Sequence, residues 1–348
     1  MSRDAIPPPA AIATDAGRPQ HPLVSARDWL QHTPAVALAI VTATWGSSPV
    51  PAGSHMVIAS EDRFAGSVSG GCIEGDVIAA AGDVIAGGAP QLLDFGVSNQ
   101  TAWRAGLPCG GNVQVLVMRL EAERHQPLLT RMVDAAAQRQ SLLLVASVAS
   151  GSLRLLDGDE AAREGLSTHL DTGRIGIVAL KAGDALVQAL LPPPQVVVIG
   201  ATHIAQHLVA MLRHIDFQTV VVDPRSAYAS AERFADTGRV TQWPHEAFQS
   251  LPIDASTAVV ALSHVADIDD DALACALRSG AFYIGALGST RNHERRKNRL
   301  LAAGFTAQQI ARIKAPIGLD IGAVTPAEIA ASIVAEVILA RRGPRRRA

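Results

Sequence analysis

The sequence predicts an α/β chain with a doubly wound parallel sheet in its C-terminal half and a mixed α/β domain before it. Three observations carry this. Four β-branched residues, Val196 to Ile199, run without interruption into Gly200, as a strand buried on both faces does. Ile204, Leu208, Met211 and Leu212 then recur at helical spacing, and a second apolar run, Thr219 to Val222, closes on Asp223. In the first half, apolar runs instead empty into two glycine turns, Ser69-Gly70-Gly71-Cys72 and Cys109-Gly110-Gly111.

A chain of 348 residues is long enough for two domains with separate cores. The net charge is −2, and basic residues cluster only at Arg291–Arg299 and in the tail Arg341–Arg347. With aromatic residues at 4%, neither a steering field nor a stacking platform for nucleic acid is expected. Three cysteines without a repeating spacing predict no disulfide framework and a reducing compartment. The Pro7-Pro8-Pro9 start is unlike a signal peptide, and no apolar run reaches membrane-spanning length. The expectation is a cytoplasmic protein without a membrane partner.

In order, residues 1–22 read as a flexible tail, and Ser25 is placed to cap a short helix through Trp29. Strands are expected at 35–44, 56–59 and 64–68, then a helix over 77–85 stopped by Gly87-Gly88. A strand at 92–95 and a long loop from Gly96 to Gly111 lead to a strand at 112–120. A helix over 127–140 and a strand over 141–148 follow. The stretch 150–190 has short apolar runs broken by Gly and Asp and yields no topology. Pro192-Pro193-Pro194 is the clearest linker. Beyond Asp223, strands at 258–262 and 281–284 alternate with helices at 270–278 and 290–303. Thr325-Pro326-Ala327-Glu328 is a full capping box opening the last helix, which Gly343-Pro344 ends. Its apolar stretch, Ile329–Leu339, leaves a homodimer open.

Cys72 is the sharpest chemical candidate. It sits in a glycine loop ahead of a helix, where open N–H groups and the helix dipole favour a thiolate; the alternative is a small packed thiol. The donors of Gly70 and Gly71 are expected to face a ligand. Glu74 is either a first-turn helix acid or a cofactor-contacting general base. Cys109, Gly110 and Gly111 form a second turn that could converge on the same site. Neither cysteine has a Cys or His partner at zinc spacing, and Cys275, amid Ala and Leu, reads as core.

In the second half, Gly200 is the one fingerprint glycine present. Ala205 is an accepted replacement, whereas Thr202 stands where the backbone must approach a pyrophosphate, which counts against tight NAD(P) binding. Asp223 could accept from a ribose hydroxyl or bond its own turn, and Arg225 could meet a phosphate. His203 and His264 fall on the crevice side of such a sheet. Gly288 and Ser289 form a second candidate phosphate cradle before a basic helix whose Arg291, Arg295 and Arg296 could equally be a solvated face.

Taken in order, several segments resemble the xanthine dehydrogenase accessory factor family, XdhC/CoxI. They are Thr44-Trp45-Gly46-Ser47-Ser48-Pro49, Gly66 to Gly75 with its Ser-Gly-Gly-Cys-Ile-Glu-Gly core, Cys109-Gly110-Gly111, Val222-Asp223-Pro224-Arg225, Phe282 to Ser289 and Pro316 to Gly322. The resemblance spans most of residues 35–340. It implies a glycine/cysteine-loop domain over 23–191, the linker 192–194, a Rossmann-like domain over 195–342 and a basic tail, 343–348. It also implies a role in handling the molybdenum cofactor, as molybdopterin or its dinucleotide form. Such a factor binds the cofactor, keeps it while a cysteine desulfurase supplies terminal sulfur, and delivers it to a molybdenum hydroxylase. Cys72 and Cys109 are then the candidates for contact with the molybdenum cofactor or for protection of its sulfur. The competing expectation is an NAD(P)-linked oxidoreductase using the Rossmann-like domain.

Overall fold

Eight consecutive buried residues, Ala35 to Thr42, place β1 (Ala35–Trp45) at the centre of the first sheet. A computed structural model of the chain describes residues 21–46, 50–96 and 111–343, which divide into two units at Pro192–Pro193.

In the N-terminal unit β1 pairs antiparallel with β2 (His55–Ser60) and β5 (Asn112–Glu121). β3 (Arg63–Gly66) and β4 (Gln91–Phe95) complete the order β3-β2-β1-β5-β4. Alternation along β1 feeds two cores. Ala37, Ala39 and Val41 meet Val77, Ala81 and Val84 of α2 (Glu74–Ile85). Val36, Leu38 and Ile40 share a core with α1 (Pro22–Trp29), α3 (Ala122–Ala137) and a second sheet.

That second sheet resolves the stretch in which the sequence shows no topology. β6 (Leu142–Ser147), β7 (Leu153–Leu156), β8 (Ile175–Leu180) and β9 (Gly183–Leu190) form an antiparallel sheet of order β7-β6-β9-β8. Two short helices, α4 (Gly158–Arg163) and α5 (Ser167–Thr172), lie within it in sequence. Gln188 of β9 ties the sheets together: its Nε2 donates to Gly53 O (2.9 Å), and its Oε1 accepts from buried His55 (3.0 Å).

Helix starts depart from expectation. The cap of α1 is His21, whose Nδ1 accepts from Leu23 N (3.3 Å), with Pro22 in the first turn; Ser25 is buried inside the helix. α2 begins at Glu74, three residues before the expected start, because its first turn is anchored by the loop preceding it. Pro127, expected at the start of α3, lies inside it.

The C-terminal unit holds six parallel strands: β10 (Gln195–Ile199), β11 (Gln218–Val222), β12 (Gly238–Val240), β13 (Thr257–Ala261), β14 (Tyr283–Ala286) and β15 (Ile313–Lys314). Their order is β12-β11-β10-β13-β14-β15, doubly wound from β10 outward. Helices are α6 (His203–His214), α7 (Pro244–Ser250), α8 (Ala266–Arg278), α9 (Thr290–Ala302), α10 (Ala307–Ile310) and α11 (Pro326–Arg342). Val196 and Val198 pack with α6 and α11, while Val197 and Ile199 pack with α7, α8 and α9. Both faces are covered, which is why the strand reads as a continuous apolar run. Chain crossovers leave β10 in opposite directions, opening a crevice beyond Ile199 and Ala261.

Arg296 is not part of a solvated face. It is 5% exposed, its Nη2 donates to Leu287 O (3.1 Å), and Asp269 lies 3.7 Å away, whereas Arg291 and Arg295 are exposed. Among the described residues no helix is long and apolar enough to cross a membrane.

Candidate functional site

β3 stops at Gly66, where φ is +88° and a Cβ would come within 2.2 Å of His55 O, so only glycine fits. Residues 67–73 then carry the chain to α2. Gly70 (φ +82°) and Gly71 (φ +114°) turn the backbone so that successive N–H groups converge on one point. The Glu74 carboxylate occupies that point. Its Oε1 accepts from Val68 N (3.1 Å), Ser69 N (2.9 Å), Gly70 N (3.1 Å) and Ser67 Oγ (2.6 Å). Its Oε2 accepts from Gly71 N (2.8 Å) and Ser69 Oγ. The Ser69 hydroxyl accepts in turn from Cys72 N (2.9 Å) and Ile73 N (3.0 Å).

Two consequences follow for the expected roles. The Gly70 and Gly71 donors point at Glu74, not at open space. Burial would push the Glu74 carboxyl up, but the Ser67 and Ser69 hydroxyls and the loop amides outweigh it and bring it down to about 2. Glu74 is therefore an ionised, fully engaged acceptor at neutral pH.

Cys72 is half-buried, with a free thiol on the rim of the core that contains Val68, Ile73, Val77 and Val113. Gly111, of the second turn, is buried immediately before β5, whose Asn112 pairs with Trp45. Trp45 itself is 53% exposed. Cys109, Gly110, Trp103, Ser47 and Ser48 lie outside the described residues.

In the C-terminal unit Gly200, Asp223, Arg225, Gly288 and Ser289 all fall at the carboxyl edge of the parallel strands. Gly200 has φ +95°, and a Cβ there would lie 2.5 Å from Ser263 Cα. The glycine thus answers to the neighbouring strand end. Thr202 caps α6, its Oγ1 accepting from Ala205 N (3.4 Å). Asp223 is fully buried: Oδ2 accepts from Ala201 N (2.8 Å) and Arg225 Nη2 (2.7 Å), and Oδ1 from Arg225 Nε (2.8 Å). Burial would raise the Asp223 carboxyl, but Arg225 and the Ala201 and Arg225 amides hold it below the usual range. Arg225 also stacks on Tyr228, 4.1 Å from the ring centroid. This is the geometry of a strand-end carboxylate bonding its own turn.

Gly288 has φ +132°, and Ser289 caps α9 through Asn292 N (3.3 Å). His203 is exposed in the first turn of α6, beside His207 (ring centroids 5.0 Å apart). His264 is exposed with φ +61°. Cys275 is half-buried on α8, where burial pushes its thiol up. No group of three or more His, Cys, Asp or Glu side chains fit to hold a metal ion occurs among the described residues.

Sequence reasoning passed over Ser67 and Ser69, which join the loop to Glu74, and Ser263, whose hydroxyl donates to buried Asp269 (2.6 Å). Ser69 had a legible signal, since it stands five residues before Glu74 with two glycines between. Ser263 had none, because its partner is fixed by the packing of α8.

Comparison with known proteins places these two units. The model of the XdhC and CoxI family matches residues 29–96, and that of the XdhC Rossmann domain matches residues 196–337. A probable xanthine dehydrogenase subunit from Bacillus subtilis is 27% identical over 90% of this chain and 95% of its own. The molybdenum cofactor insertion chaperone PaoD of Escherichia coli is 26% identical over 85% of this chain and 80% of its own. The fold is shared with a crystal structure of a xanthine dehydrogenase from Bacillus halodurans, at a TM-score of 0.71 and 22% identity, covering 93% of this chain and 97% of that one. With both units matched in order and the cysteine loop inside the first match, the chain belongs to the XdhC and CoxI family.

Proposed function

We propose that this chain is a maturation factor that binds the molybdenum cofactor, holds it while a cysteine desulfurase installs terminal sulfur, and passes it to a molybdenum hydroxylase. The observation that carries the reading is the Cys72 loop. A free, half-exposed thiol sits on a backbone held in place by its own hydrogen bonds. A soft thiolate suits a sulfur-ligated molybdenum, and among the described residues no atom lies within 4 Å of where a Cβ at Gly71 would stand. The likeness to a molybdenum cofactor insertion chaperone supports the same reading.

The alternative, an NAD(P)-linked oxidoreductase, needs an acceptor for the ribose at Asp223. That carboxylate is buried and bonded to Ala201 and Arg225. Thr202 also spends its hydroxyl on the helix start. The maturation reading asks nothing of either residue.

The test is purification from molybdenum-replete cells, with molybdenum analysis and pterin fluorescence on wild type and Cys72→Ala. Wild type is expected to carry both signals, and Cys72→Ala to lose about nine-tenths of them, the loss of a contact of roughly 1.4 kcal/mol. Equal loading of the two proteins would remove Cys72 from the role.

A further inference from the structure

We propose that Glu74 is the built-in anion of the cysteine loop, a positioning residue that takes the place a phosphate would occupy and leaves Cys72 as the group offered to the cargo. The inference rests on the cargo reading above and deepens it. It states which end of the cofactor the loop receives: the sulfur-ligated metal, not the phosphate.

The donor inventory carries the argument. Amides that converge in this way form an anion-binding concavity, and glycines before a helix are where phosphates are usually held. Here every amide from Val68 to Ile73 already has an acceptor. Val68, Ser69, Gly70 and Gly71 go to the Glu74 carboxylate, and Cys72 and Ile73 to Ser69 Oγ. Ser69 Oγ gives its proton to the same carboxylate, so Cys72 is linked to Glu74 through one buried hydroxyl. An incoming phosphate would find the concavity filled and would meet a like charge. A thiol-seeking metal would meet no such barrier.

Full-length wild type, Glu74→Ala and Glu74→Gln are compared by amide exchange, read on peptides covering residues 67–73, and by iodoacetamide labelling of Cys72. Inorganic pyrophosphate is the phosphate probe and formate the rescuing carboxylate. In Glu74→Ala the loop is expected to exchange at least ~10-fold faster, with other peptides unchanged, and Cys72 labelling to change several-fold, since four loop amides lose a hydrogen bond to a charged acceptor. Formate should restore both toward wild type. Pyrophosphate should slow exchange in the variant and leave the wild-type loop untouched.

Wild-type exchange in Glu74→Ala overturns the proposal, as does failure of formate to restore it or pyrophosphate protection of the wild-type loop. If Glu74→Ala does not fold, Glu74→Gln decides. Its uncharged amide offers the loop one acceptor oxygen in place of two and turns its NH2 toward the donors on the other side, so faster loop exchange supports the proposal and wild-type exchange sinks it. The two readings fail separately. Unaltered loading of Cys72→Ala removes the cargo reading and leaves the lock intact. An unaltered loop in Glu74→Ala removes the lock and leaves the cargo reading intact.

Discussion

Two of the glycine turns that lead from strand to helix among the described residues are each built around a carboxylate, supplied and satisfied in different ways. At Ser67–Ile73 the carboxylate is Glu74, supplied by the helix the loop feeds and satisfied, among the described residues, by hydroxyls and amides. At Gly200–Thr202 it is Asp223, supplied by the next strand and neutralised by Arg225. The glycines differ as well. Among the described residues a side chain at Gly71 would meet nothing, while one at Gly200 would strike the Ser263 backbone. One turn uses glycine to shape a loop and the other to let two strand ends approach. A glycine ahead of a helix is thus a poor guide to phosphate binding until the destination of each N–H is known.

The contrast can be broken most forcefully at Gly200. Gly200→Ala puts a Cβ 2.5 Å from Ser263 Cα at a φ of +95°, and is expected to destabilise the protein by about 3 kcal/mol or more in denaturant titration. Gly71→Ala meets no described atom and is strained by its φ of +114°, so a loss of about 1 kcal/mol is expected. Equal losses at the two sites would show that the distinction between shaping and packing is wrong.

Acid sharpens the comparison at the smallest scale. The Glu74 carboxyl is lowered from 4.5 to about 2 in the folded loop, so its contribution is complete above pH 4.5 and lost as pH falls toward 2. The protection of the amides at residues 67–73, read by mass spectrometry as exchange relative to the unstructured peptide at each pH, should therefore fall across that window. Buried His55, lowered to about 4 chiefly by burial, adds a second loss between pH 6.5 and 4, felt by the whole N-terminal unit.

Much of this was legible in the sequence, for reasons particular residues make plain. Val196 to Ile199 could be read because a doubly covered strand tolerates nothing polar. Thr325 and Glu328 could be read because a capping box is local. The stretch 150–190 could not, because its strands are short and pair across the chain; Leu143 of β6 opposes Leu156 on one side and Ala189 on the other. Glu74 was visible as a residue but not as a hub, since its partners depend on the positive φ of Gly70 and Gly71. The burial of Arg296 was illegible for a similar reason, its neighbour Asp269 belonging to a different helix.

The two antiparallel sheets of the N-terminal unit share one oily interior, in which Leu38 and Met118 from the first lie with Leu144 and Leu186 from the second. The match to the XdhC and CoxI family ends at residue 96, yet the body that carries Cys72 does not end there. A shortened chain stopping after Ala137 would leave the first sheet with a bare greasy side, prone to clump, and any fragment meant to retain the thiol must extend through Leu190.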